Sequence, residues 1–261
     1  MIPLPAFAMA EVAALVLAVT RIAGFVITSP FPGKNVPNKA KIGLVIMLAW
    51  IARAAQPATP QLSLDLALLG FVPAELGIGI VIGFTVRVTF SAAEILGSSF
   101  AQATGLTFGQ VYDPALGTED SVPSRIVTLF SMLLFLTIGA HRVAIGYALE
   151  SFRALPVGRS VQIAASAPSI VDFVAQAMEV GVRLSLPVMA VALAIQIALA
   201  LVARASPSLQ VFSIGMGVTV AAGLLVMLGS IDDAGAGLAV ELERGGPRIE
   251  KVLENVTEAA P

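Results

Sequence analysis

Apolar residues are gathered into six stretches, roughly 6–28, 42–55, 66–100, 126–149, 170–203 and 211–231, separated by polar connections rich in proline and glycine. A helix needs about 20 apolar residues to cross the hydrocarbon core of a bilayer. The last stretch fits that length, the second is short, and the third and fifth exceed it, which predicts long kinked helices or tight hairpins. Pro30, Pro32 and Pro37 close the first stretch, Pro187 lies inside the fifth and Pro207 precedes the last, each at a place where the missing N–H should bend or break a helix. The pattern reads as an all-α helical domain over 1–231. Residues 232–261 are acidic and polar, and the spacing of Leu242, Ile249, Val252, Leu253 and Val256 allows only a short amphipathic helix after Pro247, so a solvated, dispensable tail is expected.

One connection differs from the others. Residues 103–124 form a long loop without periodicity, punctuated by glycine and proline. It also carries Leu106, Phe108, Val111 and Tyr112, which a disordered spacer has no reason to hold. Loops of this length are functional or disordered, and these side chains point to a movable plug, with a plain surface connection as the alternative.

Charges inside the apolar stretches complicate a simple six-span protein. Glu11, Arg21, Glu75, Arg87, Glu94, Arg142, Asp172, Glu179 and Arg183 would each be costly against lipid, so they should face protein or water. Glu179 and Arg183 stand four apart in the favourable order, and Asp172 and Gln176 extend their face into one polar stripe. Arg87 and Glu94 share a face but lie about 10 Å apart along a helix, which assigns their partners to other helices or subunits. Packing at helical interfaces and an ion or proton relay both stay open for these groups. Gly79 and Gly83, with Gly77 nearby, and the small residues Gly215, Gly217, Ala221, Ala222 and Gly223 should let helices approach closely.

Composition places the chain in a membrane. It is 57% hydrophobic and only 12% charged, with a mean hydropathy of +0.92. A formal charge of −2 offers no basic surface for nucleic acid. With no cysteine and the lone His141, neither a disulfide framework nor a cysteine- or histidine-based metal site can be built, and no metal or cofactor is expected. Phosphate-binding loops, zinc pairs and nucleophile elbows are absent, so an enzyme is not expected. The amino terminus lacks the positive flank of a secretory signal, and the first apolar stretch should be retained. Lys34, Lys39 and Lys41 in the first connection, against no base in 56–65, suggest an external amino terminus. Later loops break that alternation, as expected of helices that do not all sit as standard spans.

Four patterns in order then become specific: Glu75-Leu-Gly-Ile-Gly, Gly105-Leu-x-Phe108 with Asp113-Pro114 and Gly117, Ser151-Phe-Arg-Ala-Leu-Pro-Val-Gly158, and Arg204-Ala-Ser-Pro-Ser-Leu-Gln-Val-Phe-Ser-Ile-Gly215. Together they resemble the FliR family of flagellar biosynthetic proteins and its injectisome counterparts. Pro207-Ser-Leu-Gln210 departs from the Pro-Gln-Leu-Asn frequent in that family. The resemblance implies kinked helical hairpins similar to a fusion of the FliP and FliQ folds, packed with FliP-like and FliQ-like subunits in a helical hetero-oligomer, with an FlhB-like switch subunit beside it. It implies a channel-forming subunit of the type III protein export gate in the bacterial inner membrane, within a flagellar basal body or injectisome base, passing unfolded secreted proteins. The loop would close that channel through Leu106, Phe108, Gly109, Val111, Tyr112, Asp113, Pro114 and Gly117. Glu75, Arg87, Glu94, Asp172, Glu179 and Arg183 would make contacts between helices or subunits. Two readings from other classes compete: a proton- or ion-coupled secondary transporter working through Glu75, Arg87 and Glu94, and a purely structural membrane scaffold.

Overall fold

The computed structural model describes residues 6–33, 36–54, 56, 68–104, 122–158, 163–205 and 211–258. Among them the secondary structure is entirely helical: α1 Ala6–Thr28, α2 Asn38–Ala54, α3 Leu68–Thr104, α4 Val122–Ile138, α5 Ala140–Ala154, α6 Ala167–Ala205, α7 Val211–Gly229, α8 Ile231–Glu243 and α9 Gly245–Glu258. A 3-10 turn, Ile163–Ser166, leads into α6.

The two long apolar stretches are each one helix and not a hairpin. α3 runs 37 residues past Pro73, and α6 runs 39 residues past Pro187. One proline removes one backbone donor, which a helix with apolar residues on both sides of the gap survives. The fourth stretch behaves in the opposite way. It divides at Gly139, whose φ of 79° lies in the left-handed region that ends a helix, so α4 and α5 are separate elements.

The chain forms two compact units. The first comprises Met1–Thr89, Gly139–Val174 and Arg244–Pro261, the second Phe90–Ile138 and Ala175–Glu243. In the first, α1 turns Ala13, Ala14, Leu17 and Ala18 inward, while α2 packs on α1 with Val45, Leu48, Ala49 and Ala52. α1 also crosses α3 at glycine. A Cβ on Gly24 would sit 2.6 Å from the Leu76 carbonyl oxygen, one on Gly79 would collide with the Arg21 carbonyl oxygen, and one on Gly83 would collide with Thr28 Oγ1. The close packing expected of Gly79 and Gly83 is therefore present, with α1 as the partner helix.

In the second unit, Ala92, Ala93 and Leu96 of α3 pack with Val127 of α4 and Leu238 of α8, flanked by Val180, Leu184 and Met227. Gly181 allows α6 to approach α3, since a Cβ there would meet the Ala92 carbonyl oxygen at 2.8 Å. Phe90 and Phe135 meet edge to face with centroids 5.0 Å apart.

The expectation of a solvated tail is corrected here. α8 places Asp232 and Asp233 in its first turn, where the helix dipole favours acids, and buries Leu238 and Leu242 in the second unit. α9, which does follow the predicted amphipathic register, buries Ile249, Val252, Leu253 and Val256 in the first unit and packs on α5 and the 3-10 turn. Arg248 lies over the Phe173 ring at 5.5 Å, and Asn255 Nδ2 donates to Ser169 Oγ at 2.6 Å. Overall polarity suggested solvation, but the i, i+3, i+4, i+7 apolar spacing is that of a packed helix.

Among the described residues, three helices are long and apolar enough to cross a membrane: Met9–Thr28, Gly70–Ala103 and Ala164–Ala205. Two broken pairs, Arg125–Ile138 with Ala140–Ala154 and Gly217–Gly229 with Ile231–Thr257, qualify only if each pair counts as one span.

Candidate functional site

Arg21 stands in the middle of α1 and is 1% exposed, too far from either helix end for its guanidinium to reach water. Two elements, α3 and the C-terminal end of α5, supply its partners. Nε donates to Glu75 Oε2 on α3 at 2.7 Å, and Nη1 donates to the carbonyl oxygens of Ser151 at 3.0 Å and Leu155 at 2.9 Å, at the C-terminal end of α5. Its Cζ lies 4.3 Å from the centroid of the Phe152 ring. The cation thus neutralises one carboxylate, binds the Leu155 carbonyl just past the end of α5 and the Ser151 carbonyl, which also accepts the Leu155 N–H at 2.9 Å, and rests on an aromatic face. Glu75, also 1% exposed, spends its second oxygen on the Gly158 backbone N–H at 3.0 Å. Gly158 has φ 81°, a conformation that turns the chain after α5 back toward α3.

The geometry accounts for two of the sequence patterns. In Glu75-Leu-Gly-Ile-Gly79 the acid receives Arg21, and four residues on the glycine admits the Arg21 backbone. In Ser151 to Gly158, Ser151 and Leu155 offer carbonyls, Phe152 offers its ring and Gly158 offers its N–H. They are two halves of one clamp, closed by Arg21. Arg21 is the residue missing from the sequence-derived site. The crossing of α1 and α3 at Gly24, Gly79 and Gly83 is what brings the two charges together, and it is visible only in the structure.

On the Glu75 side the clamp is closed, since both carboxylate oxygens accept hydrogen bonds, one from Arg21 and one from Gly158, whereas Arg21 Nη2 is buried with no hydrogen-bond partner among the described residues. Removing one partner would leave an uncompensated buried charge, at a cost of about 3–5 kcal/mol. A second, more accessible pair ties α1 to α2: Arg53 donates from Nη2 to Glu11 Oε1 at 2.7 Å and from Nε to Glu11 Oε2 at 2.9 Å.

The other residues singled out from the sequence are placed differently. Glu179 and Arg183 pair within α6 at 3.3 Å, both side chains more than two thirds exposed. Arg87, Glu94 and Asp172 are exposed, and among the described residues none has an ion-pair partner. Among the described residues no group of three or more His, Cys, Asp or Glu could hold a metal. The plug-loop residues Leu106, Phe108, Gly109, Val111, Tyr112, Asp113, Pro114 and Gly117 lie outside the described residues.

The family described as bacterial export proteins, family 1, matches residues 12–243, a span that takes in the clamp and all the apolar helices. The chain belongs to that family. Among its relatives is the flagellar biosynthetic protein FliR of Aquifex aeolicus, 32% identical over 83% of this chain and 84% of that protein. FliR of Escherichia coli is 28% identical over 79% and 80%, and FliR of Bacillus subtilis is 25% identical over 82% and 85%. The chain is therefore an export-family protein of the FliR type, with apolar helices suited to a membrane. The match ends at Glu243, so α9 lies beyond it although α9 is packed into the first unit.

Proposed function

We propose that the chain is a channel-forming subunit of the type III protein export gate, in the flagellar branch, which passes unfolded proteins across the bacterial inner membrane. Family membership over residues 12–243 carries the reading. In it the chain has the architecture of a FliP–FliQ fusion, joins FliP-like and FliQ-like subunits beside an FlhB-like switch subunit, and uses the loop from Gly105 to Val122 to help close the channel. Glu75 belongs to the clamp that shapes the subunit, and Arg87, Glu94, Asp172, Glu179 and Arg183 serve contacts with neighbours.

α6 supports an assembled subunit over a free-standing one. Its 39 residues extend about 58 Å, nearly twice the roughly 30 Å hydrocarbon core. Only 11% of its apolar window is buried within the chain, leaving Leu186, Leu193, Ile197 and Leu201 uncovered. The same helix exposes Asp172, Glu179 and Arg183, which lipid alone would penalise. A helix both too long and too charged for lipid calls for protein neighbours over part of its length. Ion-coupled transport through Glu75 is disfavoured by the closed clamp around it.

The test is co-expression with and without FliP-like and FliQ-like subunits, followed by purification in detergent. A stable stoichiometric complex formed only with the partners, and loss of flagellar cargo export when the gene is deleted, is the expected outcome. A folded, well-dispersed monomer that exports nothing and binds neither subunit would rule the proposal out.

A further inference from the structure

The outer face of α2 has no cover among the described residues. Val45, Leu48, Ala49 and Ala52 turn inward, whereas Ile42, Ile46, Met47 and Trp50 are each more than half exposed, with Trp50 at 66%. α2 is 17 residues long, about 25 Å.

Its charge is lopsided. Arg53 at the C-terminal end is neutralised by Glu11 of α1. At the other end stand Lys39, exposed, and Lys41, half-buried, and neither has an ion-pair partner among the described residues. No acid occupies the first turn of α2, so two cations sit where the helix dipole opposes them. An anion outside the chain would offset that placement. Lys39, Ile42, Ile46 and Trp50 share one helical face by their spacing of three, four and four residues. Trp50 lies nine residues beyond Lys41, about 14 Å along the axis, close to the roughly 15 Å depth of one leaflet's hydrocarbon. Cations, then a leaflet's depth of aliphatic side chains, then an indole match a lipid with an anionic headgroup.

We infer that the outer face of α2 is a binding surface for anionic phospholipid, with Lys39 and Lys41 on the headgroup and Ile42, Ile46 and Trp50 along the acyl chain. This goes beyond the export-gate reading and does not rest on it. A protein subunit seated on the same face is the competing occupant.

Trp50 is the sole tryptophan of the chain, so its fluorescence reports this face directly. The full chain, purified with whatever subunits accompany it, is reconstituted into vesicles of phosphatidylcholine and phosphatidylglycerol in which one lipid at a time carries bromine on its acyl chains. A Trp50→Phe preparation subtracts tryptophans of other subunits. Trp50 should be quenched, and brominated phosphatidylglycerol should be enriched over brominated phosphatidylcholine by about fivefold or more at equal mole fraction, the factor expected of one lysine at an anionic surface. In Lys39→Gln/Lys41→Gln the quenching should persist while the enrichment falls to about one, and the exposed Lys39→Gln alone should lower it if the double variant fails to fold. Absence of acyl-chain quenching would mean that protein covers α2 and would overturn the inference. Equal quenching by both lipids, or enrichment unchanged in the lysine variants, would overturn it as well. Such failures leave the export-gate reading standing, and failure of export would leave the lipid measurement unchanged.

Discussion

Arg21 is worth more to its surroundings than an exposed surface ion pair, because α1, α3 and the end of α5 meet at one guanidinium. Arg21→Met should cost about 3–5 kcal/mol by leaving Glu75 charged and buried, and Glu75→Leu should cost a similar amount. The double variant Arg21→Met/Glu75→Leu should recover most of the loss, since it removes both charges. Unfolding midpoints of the three variants in detergent check this, and a double variant as unstable as the sum of the singles would contradict it. At the exposed Glu179–Arg183 pair, alanine should change the stability of the isolated chain by no more than about 0.5 kcal/mol. A large loss of assembly from the same change would mark that pair as a subunit contact. From the sequence Glu75 was recognisable as a charge needing a partner, but Arg21 was not assigned to it. Helical period shows which side of a helix is apolar, whereas the choice of partner depends on which helices cross. That is decided by the absence of a Cβ at Gly24, Gly79 and Gly83, which no periodic pattern displays.

The helices themselves were largely legible, because apolar runs of this length leave few alternatives to helix. What escaped was where they break and what they bury. Gly139 divides α4 from α5, whereas Pro73 and Pro187 do not end α3 and α6. A glycine at φ 79° redirects the chain, but a proline costs one hydrogen bond that a long apolar helix absorbs. Gly139→Ala should therefore destabilise by about 1–2 kcal/mol, as expected of a side chain forced into the left-handed region. The end of the chain misled for a related reason: α8 and α9 are polar on average and amphipathic in detail. Truncation after Ser230 should remove Leu238 and Leu242 from one unit and Ile249, Val252, Leu253 and Val256 from the other, abolishing stable folding. Ile249→Ala alone should cost about 2–5 kcal/mol, measured by the same unfolding midpoints. A truncated chain that assembles normally would restore the dispensable-tail view.

At the scale of the whole molecule, the proposal is that this export-family chain lines a conduit and closes it with the segment from Gly105 to Val122. The side chains offered there, Leu106, Phe108, Val111 and Tyr112, would in that proposal fill space and exclude water, with few hydrogen bonds with which to select a cargo. Replacing Phe108 and Tyr112 by Ala should raise ion conductance of the resting assembly in a planar bilayer while cargo choice is kept. The most direct measurement places a photoreactive amino acid at Phe108 in living cells and arrests a secreted protein in transit by a tightly folded domain fused to its trailing end. The account predicts a crosslink between position 108 and the arrested cargo, and none from the same probe at Leu225, which is exposed on α7. Export arrested with no crosslink at 108 would contradict a channel closed by this loop.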